Sequence, residues 1–175
     1  VMQPLLDQAA IALSHAQLYA EVQREITERQ QMENSLRESE ARYRAVAETA
    51  LAGIGISDPD ENLTFVNPAF AEMLGYDQQE LLGMNLSRLT DPEEAEKFRE
   101  STRQRRRGIR SNYETHLFHR DGSRKDLFVS SAPLMAADGV FQGTLGVVID
   151  VTERKRLEEE LHRNQNLQSL GLLAG

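Results

Sequence analysis

The sequence predicts an α+β domain, a five-stranded antiparallel sheet with short helices on one side, flanked by long N- and C-terminal coiled-coil helices. Three observations carry that prediction. Residues from about Leu5 to Ala47 contain no Gly, and Pro stands only at position 4, which leaves room for one uninterrupted helix. Between Ala52 and Val151, short apolar runs alternate with Asp-Pro, Asn-Pro and Asp-Gly punctuation, in the order two strands, several helices, three strands. A helical message also recurs: Ile26-Thr27-Glu28-Arg29 with Glu33 and Leu36 returns as Val151-Thr152-Glu153-Arg154 with Glu158 and Leu161, at an offset of 125 residues. Solenoid units are far shorter than that. The repeat fits one helix entering a domain and a similar helix leaving it.

The elements follow in order. In the first helix the apolar positions thin out to Val22, Ile26, Leu36 and Tyr43, with Arg29, Glu33 and Glu40 in the seam between them. A seam that polar makes a weak coiled coil. Ala52 to Ser57 is a strand, Asp58-Pro59-Asp60-Glu61-Asn62 a turn, and Leu63 to Val66 a second strand. Asn67 is a good N-cap, Pro68 suits the first helical position, and Gly75 suits the residue after the helix. Gln78 to Leu82 is a further short helix closed by Gly83. Thr90-Asp91-Pro92-Glu93-Glu94 starts a longer one that runs to Arg103-Gln104-Arg105-Arg106-Arg107 and stops at Gly108. Asp121-Gly122 and Asp138-Gly139 are hairpin signals between strands at 112–119, 124–134 and 140–151. In the last strand Leu145, Val147 and Ile149 share a face. From Thr152 the chain returns to helix, where Leu157 and Leu161 are neighbours four apart and can begin a parallel seam, continued by Leu167 and Leu170.

Composition narrows the function. Net charge is −8, which argues against nucleic-acid binding. The arginine run at 103–107 reads most simply as a solvated helix C-terminus. With no Cys, disulfides, thiolate metal sites and cysteine nucleophiles are excluded. No apolar stretch has the length of a membrane span, so a soluble, cytoplasmic protein with no membrane partner is expected; the sequence starts at Val1 and ends in mid-pattern, so a fragment of a longer protein is expected too. Enzyme chemistry has little to build on: Asp58 and Asp60 sit in a turn, and neither a nucleophile–base pair nor a phosphate-binding loop is visible.

The middle of the chain resembles the PAS family of sensor domains. The resemblance rests on Asn67-Pro68-Ala69-Phe70, Met73-Leu74-Gly75-Tyr76, Glu80-Leu81-Leu82-Gly83, Asp91-Pro92-Glu93, Arg120-Asp121-Gly122-Ser123 and Asp150-Val151-Thr152, in that order. Leu6 to Tyr19 is similar to the closing helix of a GAF domain. Asn166 to Gly175 is similar to the start of the dimerisation helix of sensor histidine kinases. The domains implied are a GAF-like end at 1–20, a signalling helix at 21–46, a PAS domain at 47–151, and a coiled-coil helix at 152–175 leading to a kinase whose phosphoacceptor His and ATP-binding domain would lie beyond Gly175. The Leu157–Leu161 seam predicts a parallel homodimer held by both flanking helices, and the resemblance implies a response regulator as the partner of the parent kinase.

PAS domains can hold haem, flavin or small metabolites between sheet and helices. A cysteinyl-flavin adduct needs a Cys, and the helix matching the one that carries the haem ligand, Asp91 to Arg107, has no His. No cofactor and no metal site is therefore predicted. His116 and His119 lie three apart on one strand and so face opposite ways. The expected pocket wall is Ile54, Ile56, Phe65, Phe70, Met73, Leu86, Leu89, Phe98, Leu117 and Val129, with His116 turned toward it. These residues either simply make the core or enclose a small apolar ligand. At the exit, Asp150 and Thr152 form a stiff strand-to-helix junction, since Gly and Pro are absent from 150 to 170. Asp150 is expected to pair with Arg120, Arg44 or Arg154, and Thr152 to cap the outgoing helix. Two functions compete: a sensor and relay module of a sensor histidine kinase, and a non-sensing dimerisation or protein-interaction module.

Overall fold

The structure, a computed structural model, describes the backbone of residues 3–173 and the side chains of residues 11–167. Much of the GAF-like start and of the kinase-like end, Leu170 included, lies outside the residues whose side chains are described. The chain divides into two compact units, Val1–Val46 and Ala47–Gly175.

The first unit is helical. It belongs to α1 (Gln3–Thr49), a helix of 47 residues. Its described side chains are almost all exposed, including Val22 at 44%, Ile26 at 45%, Leu36 at 60% and Tyr43 at 73%. An Arg29–Glu33 pair four residues apart adds local support.

The second unit is built on five antiparallel strands in the order β2-β1-β5-β4-β3. They are β1 (Gly53–Ser57), β2 (Leu63–Val66), β3 (Ser111–Phe118), β4 (Arg124–Met135) and β5 (Phe141–Asp150). Between β2 and β3 lie α2 (Pro68–Leu74), α3 (Gln78–Leu81), a 3₁₀ turn at Leu86–Leu89 that the sequence pattern did not reveal, and α4 (Pro92–Arg105). After β5 comes α5 (Thr152–Leu173).

The capping residues act as their chemistry predicts. Asn67 caps α2 by accepting from the Phe70 amide, and Asp91 caps α4 by accepting from the Glu94 amide, each with Pro at the start of its helix. Gly75 ends α2 at φ 72°, a left-handed conformation suited to Gly.

The core sits between the sheet's inner face and α2–α4, with Leu74, Leu81, Leu89 and Leu127 at 1% exposure or less. Truncating any one of these leucines to Ala would cost ~2–5 kcal/mol. The inward residues of β1 are Gly53, Gly55 and Ser57, not Ile54 and Ile56. The reason is the seat of α2. A Cβ at Gly53 would lie 3.2 Å from the Phe70 Cα, and one at Gly55 would lie 3.4 Å from the Phe70 ring. Helix and strand therefore meet through glycine, and the isoleucines take the opposite face. The pairings Ile56↔Phe65, Ile54↔Val147 and Ile56↔Leu145 carry that outer face across β2, β1 and β5.

Candidate functional site

Two features of the second unit can carry a signal: a cavity in the core and the junction at which β5 becomes α5.

The cavity has a volume of about 60 Å³ and lies between the inner sheet face and α4. Of the expected wall, Phe70, Leu86, Phe98, Leu117 and Val129 line it. Ile54, Ile56 and Phe65 do not, because they occupy the sheet's other face. Met73 and Leu89 pack elsewhere on the core. His116 does not reach the cavity either. Strand alternation sends Tyr113, Thr115 and Leu117 inward, and the His116 ring instead meets Asp91 Oδ2 at 2.6 Å, with Phe118 edge-on to it.

The cavity also has a polar end that sequence reasoning missed. Arg105, 3% exposed, directs its guanidinium onto three hydroxyls: Nε donates to Thr144 Oγ1 at 3.0 Å, Nη1 to Ser131 Oγ at 2.9 Å, and Nη2 to Thr102 Oγ1 at 3.3 Å. The Thr102 hydroxyl in turn donates to Oε1 of the buried Glu61 at 2.7 Å. Glu61 holds a left-handed backbone at φ 70°, uncommon for a residue with a Cβ. Tyr113 stands beside Arg105 and Ser131. Burial drives its pKa up, and the neighbouring guanidinium offsets only part of that rise. The run at 103–107 is therefore not a uniformly solvated cluster. Arg106 lies over the Phe141 ring and donates to the Pro59 carbonyl, while Arg105 turns inward.

The cavity is smaller than the ~300 Å³ at which small-molecule pockets commonly start, and no His or Cys lies among its described lining residues.

At the junction, Asp150 pairs with Lys125, Nζ to Oδ2 at 3.1 Å, and not with an arginine. Arg120 is committed to Glu80 at 3.0 Å and lies over the Tyr76 ring. Arg154 faces Glu114 at 3.9 Å and Glu158 at 3.8 Å. The register explains the choice of cation: β4 lies beside β5, and Leu127 opposite Asp150 places Lys125 at the strand's end. Thr152 differs from expectation as well. Its amide donates to Asp150 Oδ1 at 2.8 Å, while its hydroxyl accepts from the Asp126 amide of β4 at 2.9 Å. Val151 N–H donates to the Asp126 carbonyl at 2.8 Å. Lys155, one turn along α5, pairs with Glu114 of β3 at 2.6 Å. Burial pushes the Asp150 carboxyl upward, but the hydrogen bonds from Thr152 and Lys125 outweigh it and hold the pKa below the ordinary carboxylate value. The helix is thus clamped to β4 and β3 within its first turn.

Comparison with known proteins places this architecture. The PAS domain family model matches residues 51–153. The chain belongs to the PAS domain family. Among its relatives, the C4-dicarboxylate transport sensor protein DctS of Rhodobacter capsulatus is 31% identical over 159 residues, covering 83% of this chain and 24% of that protein. Sensor histidine kinase TmoS of Ectopseudomonas mendocina is 26% identical over 138 residues, covering 78% of this chain and 14% of that protein. The chain thus spans about a quarter or less of these relatives. Among solved structures, the PAS domain of an HTR-like protein from Haloarcula marismortui superposes with a TM-score of 0.60 at 26% identity, covering 69% of this chain and 98% of that one. The PAS domain here is homologous to domains of sensor histidine kinases. Among the described residues, no helix is long and apolar enough to cross a membrane.

Proposed function

We propose that this chain is the regulatory sensor and relay module of a cytoplasmic two-component sensor histidine kinase, with the catalytic domains C-terminal to it and a response regulator downstream. The observation that carries this is the clamped junction. Asp150, Thr152 and Val151 tie the start of α5 to Lys125 and Asp126 of β4, so a displacement of the sheet moves the helix as a body. Kinship with sensor kinases supports the choice of output. In the full-length protein, Asp150→Ala is expected to uncouple kinase output from input. Autophosphorylation whose basal level and regulation both stay at wild-type values would remove the junction from the mechanism.

The unit of action is a parallel homodimer joined by the flanking helices. Support comes from the exposed Val22, Ile26, Leu36 and Tyr43 on α1 and from Leu157 and Leu161 on α5, at 48% and 62% exposure. Multi-angle light scattering of the 175-residue chain at high concentration should return twice the monomer mass of 19.8 kDa; a monomer would count against the arrangement. The second reading, a protein-interaction module that senses nothing, is favoured by the small size of the cavity. It predicts that no small molecule alters the domain's stability.

A further inference from the structure

The polar end of the cavity holds a buried cation that no carboxylate touches directly. Arg105 is buried, every hydrogen-bond acceptor it reaches is a neutral hydroxyl, and it is the one charged side chain among the described residues lining the cavity. Its nearest carboxylate link, Glu61, stands behind the Thr102 hydroxyl. Removing a cation from water costs several kcal/mol unless an anion and good hydrogen bonds offset it. Here the hydroxyls supply hydrogen bonds but no charge, and a guanidinium has five N–H donors in a fork that matches a carboxylate. The rest of the wall is apolar, with Phe70, Phe98, Leu117, Leu127 and Val148 around the same space. A volume of about 60 Å³ holds about four to six water-sized groups at ~10–15 Å³ each.

We propose that this cavity binds a short-chain monocarboxylate of about four to six heavy atoms, sized by that volume, its carboxylate against Arg105 and its alkyl end against Phe70 and Leu117. Arg105 is the residue that selects an anion over a neutral molecule of the same shape. Ser131 and Thr144 orient the fork. The inference adds a ligand class to the sensor reading and rests on it for its purpose only. Binding is measured on the chain itself, so it can fail while the relay stands, or stand while the relay fails.

The test is calorimetric titration and thermal unfolding of the 175-residue chain with sodium acetate, propionate and butyrate, against the matching alcohols and against sodium chloride at equal ionic strength. At least one carboxylate should give a saturable heat and raise the Tm, and the alcohols and chloride should do neither. Arg105→Met should weaken binding at least ten-fold. Gly146→Ala is the variant that keeps the test decisive if Arg105→Met does not fold. An added Cβ there would meet its nearest neighbours at 3.8 and 4.0 Å, an ordinary contact, while projecting into the cavity. It should weaken butyrate more than acetate. The proposal is overturned if no carboxylate binds, if the alcohols or chloride act equally well, if Arg105→Met binds as the wild type does, or if Gly146→Ala leaves all three affinities unchanged.

Discussion

Asn67 uses its whole amide in the fold. At 0% exposure, its Oδ1 accepts from the amides of Ile54 and Phe70, and its Nδ2 donates to the carbonyls of Ala47 and Ala52. One side chain thus caps α2, holds the first residues of β1, and fixes the segment that leads into the sheet. Asn67→Ala would leave two donors and two acceptors without a partner, at ~1–3 kcal/mol for each that water cannot reach. Partial relaxation brings the expected loss to about 3–5 kcal/mol, read as a lower denaturation midpoint with an unchanged slope. A loss under about 1 kcal/mol, the value of a simple cap, would show that the other bonds contribute nothing. Its cap role was legible from Asn67-Pro68; the two long-range carbonyls were not, because they depend on which strand lies alongside. Arg105 is the reverse case, a residue whose signal was present and passed over. Ala95, Phe98 and Thr102 mark the buried face of α4 at helical spacing, and the next step along that stripe is Arg105. Reading the arginines as one solvated block hid it. Lys125 as the partner of Asp150 needed the β4–β5 register, which depends on tertiary pairing.

At the scale of elements, strand and helix positions followed from punctuation, because Pro, Gly, Asn and Asp act through local backbone chemistry. Facing was harder. Both sides of β1 and β5 carry groups that pass for core: Ile54 and Ile56 on one side of β1, and the glycines that seat Phe70 on the other. A two-residue period identifies two faces without saying which one is covered. Apolar weight pointed to the isoleucines, whereas close approach of α2 required the glycines. The clearest element-scale consequence concerns α5. On the proposed relay, a helix clamped in its first turn to Asp126 and Glu114, beside the Lys125–Asp150 pair, would transmit rotation and translation along a stiff rod. Output would then depend on the angular phase at which Leu157 and Leu161 face a partner.

Over the whole molecule, the carboxylates set the acid limit of stability. Asp58, Asp91, Glu94, Glu96, Asp121 and Asp150 all have folded pKa values below their ordinary ones. For Asp121 the hydroxyl and amide of Ser123, followed by His119, bring the value down to about 2. A group with a depressed folded pKa contributes stability above its unfolded value and loses it as pH falls through the folded one. Across that window the unfolded chain binds more protons, so stability must rise with pH. Denaturant unfolding should give a plateau from neutral pH down to about 5, then a steady decline from about 4 toward 2. A flat profile through that range would mean that these contacts do not persist in solution. Lys97 and Arg103 have raised values, so their contributions are retained until strongly alkaline pH.

The same connector pattern stands on both sides of the domain, and in the second copy Thr152 and Glu153 open a helix locked to the sheet. The account therefore stands or falls on phase. The direct measurement is autophosphorylation of the full-length protein carrying insertions of one to seven residues after Leu161. Insertions of two or five residues, which turn the seam by about 200° and about 140° at ~3.6 residues per turn, should change basal output at least ten-fold, and seven residues, which restore the heptad, should bring it back toward wild type. Output that ignores insertion length, or falls steadily with it, would contradict the rigid relay.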